Sequence, residues 1–176
     1  MPIRREIFYK VLGIALLLLL LRPTCALMIQ IMTRNNISGS SISGRELLDF
    51  LATPVNWPKI VATSNRVDSS DSTLAPMKES TSPVVEFLGI AGIDLISVVW
   101  ICEVSEPGRV LVRSIDGIRG IAENCTLQFD VDETNVIFTV QYDAVSVLGL
   151  LAAPVLKVDN WLTLNVLLPS EVSLNP

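Results

Sequence analysis

The chain is expected to fold as an α+β domain in which a curved antiparallel sheet wraps around one long C-terminal helix. Three observations predict this. An almost unbroken apolar segment, Val145 to Leu168, closes the sequence. Before it, from Val84 to Asp143, apolar residues recur at every second position in several stretches, the period of strands with one inner face. Ahead of those stretches stands a helix start followed closely by two prolines, Pro54 and Pro58.

The elements follow in order. Leu27 to Thr33 is a short apolar stretch suited to a first strand. Ser43-Gly44-Arg45-Glu46 matches a capping box, with Leu47, Leu48 and Leu51 as the apolar face of the helix it opens. Thr53-Pro54 ends that helix and starts a second, short one limited by Pro58. Ile60 to Val67 reads as a strand, and Asp68 to Ser82, rich in Ser, Thr and Asp, as a loop. Ile96, Val98, Trp100, Cys102 and Val104 alternate, and Pro107-Gly108 suits the centre of a type II turn before a return strand at Arg109 to Arg113. Cys125, Leu127, Phe129 and Val131 form the next inner set, and Val136, Phe138, Val140 and Tyr142 the last.

At about 1.5 Å per residue the closing segment would make a helix of roughly 36 Å. Lys157, Asp159, Asn160 and Asn165 inside it argue against a membrane span and for a helix buried against the sheet. Leu148, Leu151, Ala152 and Val155 form one apolar stripe, and Val147, Pro154, Val158, Trp161 and Leu168 form another. Ser146, Gly149, Ala153, Lys157 and Asn160 trace a narrow small or polar face. Pro154 should bend or break the helix, because it removes a backbone donor and crowds the carbonyl of Leu150.

Part of the apolar character belongs to the N-terminus. Arg4, Arg5 and Lys10 precede an apolar run, Val11 to Leu21, and Thr24-Cys25-Ala26 is a small-residue segment suited to cleavage before Leu27. The expectation is a signal peptide over residues 1–26 and a single domain over 27–176, reaching the secretory pathway or the exterior. The alternative destination is a complex plastid reached through a bipartite leader, for which Met28 to Arg45 carries Arg34 and Arg45 and no acid. Without Arg4, Arg5, Lys10, Arg22 and Glu6 the remaining chain has nine Lys and Arg against 17 Asp and Glu, a charge of −8. That balance offers phosphate no field, so nucleic acid is not an expected partner.

This order of elements resembles the helix-grip fold of the START-like, or SRPBCC, superfamily, which includes polyketide cyclases, lipid-transfer domains and pollen allergens. The resemblance covers Met28 to Leu168. It is carried by Leu48 to Ile60 with its Asn56-Trp57-Pro58 turn, by Val98-Val99-Trp100, and by Tyr142-Asp143 leading into the last helix. It implies binding or transport of a hydrophobic small molecule, such as a lipid, pigment or polyketide-like compound, with exchange at a membrane surface and no cofactor. The implied ligand-binding residues are Trp100, Leu127, Phe129, Phe138, Val140 and Tyr142 from the sheet, facing Leu148, Leu151, Val155 and Leu162 from the helix across a cavity. Glu86, Arg113, Gln128, Tyr142 and Asp143 lie on strands and could project into a cavity; of these only Tyr142 shares the expected inner face, and it is the expected hydrogen-bonder.

No chemistry is needed for that role. The absence of histidine excludes a Ser-His-Asp triad, a Cys-His pair and a histidine zinc site. One alternative is a polyketide cyclase or dehydratase in which Tyr142 polarises a carbonyl. Another is a ligand-free interaction domain with a filled core. An acid or base lining the cavity would favour the enzyme. Cys102 and Cys125 share the inner face with one strand between them, about 9.6 Å apart. That exceeds the roughly 7 Å a disulfide allows, so two free, buried thiols are expected.

Overall fold

The computed structural model describes residues 26–38, 42–68, 73–90 and 92–172; the expected leader lies outside them, apart from Ala26. Strand β1 (Leu27–Asn36) is followed by α1 (Gly44–Ala52), a 3₁₀ turn (Pro54–Asn56) and α2 (Trp57–Ile60). Then come β2 (Ser64–Val67), β3 (Val84–Ile90), β4 (Ile93–Glu106), β5 (Arg109–Ser114), β6 (Ala122–Val131) and β7 (Asn135–Ala144). The chain closes with α3 (Val147–Leu162), a π turn (Thr163–Leu167) and α4 (Leu168–Val172). The strands form one curved antiparallel sheet in the order β1-β7-β6-β5-β4-β3-β2. It is a meander closed by the first strand, which returns to pair with the last.

The local chemistry explains the early elements. In the capping box, the Glu46 backbone N–H donates to Ser43 Oγ at 3.2 Å and the Ser43 N–H donates to Glu46 Oε2 at 3.0 Å, so α1 starts with two orphan donors satisfied. Its apolar face, Leu47, Leu48, Leu51 and Ala52, is buried. The Asn-Trp-Pro turn is locked from within: Asn56 Nδ2 donates to Phe50 O at 3.0 Å and Trp57 Nε1 to Leu51 O at 2.9 Å.

Alternation sets the sheet register. Val98, Trp100, Cys102, Phe129, Val136, Phe138, Val140 and Tyr142 are all buried on one face. Phe129 and Phe138 are directly paired across β6 and β7 and stack with centroids 4.6 Å apart. Gly108 has φ +85° at the β4–β5 turn, the left-handed value that the second central residue of a type II turn needs. Cys102 and Cys125 are free and buried, on strands separated by β5.

The C-terminal helix lies along β1 and β7, although Val147–Val172 is by length and composition apolar enough to cross a membrane. Its inward face differs from expectation. Leu151 and Val155 are 53% and 54% exposed, whereas Gly149, Asp159, Asn160 and Thr163 are buried. Gly149 and Asn160 of the small face go inward while its Lys157 is exposed, and at Gly149 the backbone comes close: a Cβ there would sit 2.2 Å from Ile121 O. Pro154 does not break α3, which runs through it. The proline lies on the exposed side, where water can reach the carbonyl it frees. The irregularity comes further on, at the π turn, where Asn35 Nδ2 of β1 donates to Leu164 O at 2.7 Å.

Candidate functional site

Where α3 crosses the sheet, a cavity of about 50 Å³ remains. Its walls are aromatic and aliphatic: Trp57 from α2, Trp100 from β4, Leu127 and Phe129 from β6, Phe138 and Val140 from β7, Leu88 from β3 and Leu156 from α3. Glu86 of β3 and Asp159 and Asn160 of α3 are its charged and amide members. Alternation brings Glu86 inward, since it pairs with buried Val98 and lies two residues from buried Val84.

Glu86 is 2% exposed and accepts a hydrogen bond from Trp100 Nε1 at 2.8 Å. Burial pushes its carboxyl up to about 7; Ser64 and Trp100 oppose that rise, and the charge of Asp159 adds to it. Ser64 lies beside it, buried, its hydroxyl without a well-formed hydrogen bond. Asp159 is also pushed up by burial, against the hydrogen bonds it accepts from the Ala62 N–H at 2.8 Å and the Thr63 hydroxyl. Those bonds tie α3 to the chain entering β2. Asn160 donates to Ile31 O of β1 at 3.5 Å.

A second hollow lies outside this tie. An open groove of about 460 Å³ is lined by Ala62, Gly89, Ile90, Pro154, Val155, Val158 and Leu162, and it shares Thr63 and Asp159 with the inner cavity. A larger concavity, about 1030 Å³, lies elsewhere, between α1 and the β4–β5 and β6–β7 turns. Its rim carries Arg45, Asp49, Lys78, Glu106, Asp132 and Glu133. Charged and aromatic-free, it suits solvent better than an apolar ligand.

Five of the ten residues expected at the site, Trp100, Leu127, Phe129, Phe138 and Val140, line the inner cavity. Tyr142 is buried but lies outside the lining; its hydroxyl donates to Gly149 O at 2.8 Å and so anchors α3. Leu148 is half-buried and outside the lining. Val155 and half-buried Leu162 border the outer groove, while exposed Leu151 borders neither hollow. Of the strand residues able to project inward, sequence reasoning favoured Tyr142 over Glu86, and it did not propose Asp159; the structure places both carboxyls at the cavity. Glu86 stands in step with Val84 and Leu88, and that step was the available signal. Asp159-Asn160 is a polar pair within an apolar helix, where burial demands partners.

No family model matches the chain, and no curated protein matches it. Solved structures do. Ginseng major latex-like protein 151 from Panax ginseng superposes with a TM-score of 0.60 at 14% identity, over 83% of this chain and 98% of that one. An aromatase/cyclase from Streptomyces gives 0.56 at 12% identity, over 84% and 94%. A Thalictrum norcoclaurine synthase, in complex with a transition-state analogue, gives 0.57 at 7% identity, over 86% and 98%. The chain has the START-like helix-grip fold.

Proposed function

We propose that the protein binds a hydrophobic small molecule, such as a lipid, pigment or polyketide-like compound, between its sheet and its C-terminal helix. The observation that carries this reading is the aromatic-walled cavity where helix crosses sheet, with a carboxyl on its wall. At about 50 Å³ it is far below the roughly 300–1,000 Å³ of ordinary ligand pockets, so binding requires α3 to shift outward. The inner side of α3 suits such a shift, since Gly149, Asp159 and Asn160 make up part of it and its apolar packing rests on half-buried residues such as Leu150 and Leu156.

An apolar fluorophore tests the proposal. It should saturate at about one site per chain, and Phe138→Asp should abolish binding in protein still folded by circular dichroism. Leu151→Asp, on the exposed side, should leave binding intact. A folded wild-type protein without saturable binding would instead favour an interaction domain, for which the exposed face of Leu151, Val155, Val158 and Trp161 is the supporting observation.

A second reading is a cyclase-type enzyme, favoured by Glu86. A carboxyl near 7 both takes and returns a proton at neutral pH, as removal of a proton beside a carbonyl and loss of water require. Tyr142, already donating to Gly149, is less suited to polarise a carbonyl. On this reading Glu86→Gln would slow cyclisation of a polyketone by about 10²-fold or more without weakening its binding.

The proposed route is secretory, with cleavage before Leu27 and ligand exchange at a membrane surface. Such cleavage leaves β1 whole. Removing Met28 to Arg45 as a plastid transit segment would strip β1 from the sheet, which supports the simpler leader. N-terminal sequencing of protein from its host tests this; Met1 recovered in a membrane fraction would defeat it.

A further inference from the structure

We propose that the inner cavity takes the ammonium end of an apolar amine whose hydrocarbon body lies in the groove beside Pro154, entering where Thr63 and Asp159 now meet. The inference rests on the ligand-binding reading and names the ligand class. The charge is one-sided: among the described residues, two carboxyls and no Lys or Arg line the cavity. Glu86 is faced by Ser64 from β2, Trp100 from β4 and Asp159 from α3, none of them a cation. Arg66 of β2 serves the other side of the sheet, with its guanidinium 3.5 Å over the Phe87 ring and bonded to Asp68 and Asp94.

A purely structural role explains this poorly. Trp100 needs one acceptor, and a neutral amide would serve without the cost of a buried acid next to a second one. The Ser64 hydroxyl, without a well-formed hydrogen bond, adds a further buried polar group beside Glu86. An ammonium, with three donors, satisfies such a cluster, and charge-assisted bonds to carboxylates are the strong ones.

Size points the same way. About 50 Å³ admits a head group but no hydrocarbon body, whereas the adjoining groove of about 460 Å³, walled by Ile90, Pro154, Val155, Val158 and Leu162, has room for one. Only the Thr63–Asp159 contact is common to both. Parting it joins them into a site of ordinary ligand size.

Protons follow from the sign of the charges. At or below neutral pH the carboxyl pair holds a proton that an incoming ammonium displaces to solvent, so the amine should bind more tightly as pH rises through about 7.

The test uses naphthylethylamine and naphthylethanol, which share one hydrocarbon body, titrated calorimetrically into the chain lacking residues 1–26. The amine is expected to bind about tenfold or more tightly than the alcohol at about pH 8, with the gap closing toward about pH 6. Glu86→Gln, which keeps an acceptor for Trp100, should bring the amine down to the level of the alcohol. Thr63→Val should speed association of the amine. Equal affinities for the two probes in the wild type would overturn the amine class while leaving ligand binding in place; failure of both to bind would overturn both. A preference that survives Glu86→Gln would remove Glu86 from the site, and an unchanged association rate in Thr63→Val would overturn the entrance.

Discussion

Helices α1 and α3 solve the same problem in opposite ways. In α1 the apolar residues Leu47, Leu48 and Leu51 go inward and the polar ones face water. In α3 the apolar residues Leu151, Val155, Val158 and Trp161 face water, while Asp159, Asn160 and Gly149 go inward. The first helix is held by burial, the second by hydrogen bonds of specific geometry together with half-buried Leu150 and Leu156. Hydrophobic burial is non-directional and tolerant, whereas polar anchoring is lost abruptly when one partner goes. The floor of the candidate site is therefore fixed and its helical roof is the part suited to move.

The largest expected effect sharpens this contrast. Leu51→Ala, at a fully buried position of α1, should cost about 2–5 kcal/mol in urea unfolding. Leu151→Ala, an identical change in α3, should stay within about 0.5 kcal/mol. Comparable losses at both positions would show that the exposed face of α3 is covered in solution.

Next comes pH. The folded-state carboxyl of Glu86 stands at about 7 against an ordinary 4.5, so the folded protein holds a proton that the unfolded chain has released. The stabilisation this confers is fully present below about 4.5 and is lost as pH rises through about 7, roughly 3 kcal/mol in all. Glu86→Gln should flatten that part of the stability curve. If it does not, the pH dependence comes from other groups.

A somewhat smaller loss is expected from Asp159→Ala, which leaves the Ala62 N–H and the Thr63 hydroxyl without their acceptor. It should cost about 1.5–3 kcal/mol, partly offset because Glu86 loses a like charge. A fall in the apparent pKa of Glu86, followed by the pH dependence of unfolding, separates the two contributions.

These differences also explain what could be read before the structure. The sheet was legible because alternation is a strict period: once Trp100, Phe129 and Phe138 are assigned inward, their neighbours on each strand follow. The meander and the capping box were legible because turn and cap chemistry is local. The orientation of α3 was not. A helix apolar on nearly every side carries little directional signal: it offered two stripes, and the one the resemblance turned inward contains Leu151 and Val155, which are exposed. Its facing was decided by long-range partners, the carbonyls of Ile121 and Ile31 and the donors of Ala62 and Thr63, which no helical wheel contains. Glu86 was passed over in favour of Tyr142 although its step with Val84 and Leu88 points inward, because its partner Trp100 lies on another strand and is seen only in the fold.

The smallest effect concerns the cysteines, which sit on the tolerant, sheet side of the comparison. Cys102 and Cys125 share the inner face, but β5 runs between their strands, so no bond can form without breaking the ladder. Burial pushes the Cys102 thiol up to about 11, with the charge of Glu79 adding to it, and burial also raises Cys125. Both are thiols at neutral pH and poor nucleophiles. Native protein lacking residues 1–26 should therefore alkylate slowly, and the same protein denatured without reductant should take up two labels per chain, read by mass spectrometry. Stability should hardly change on Cys102→Ser or Cys125→Ala beyond the cost of the lost sulfur contacts, about 1–2 kcal/mol. A Cys102–Cys125 disulfide in the native protein would require a strand order other than the observed meander. Fast labelling of the folded protein would show instead that the inner face opens readily, extending to the sheet the mobility assigned here to α3.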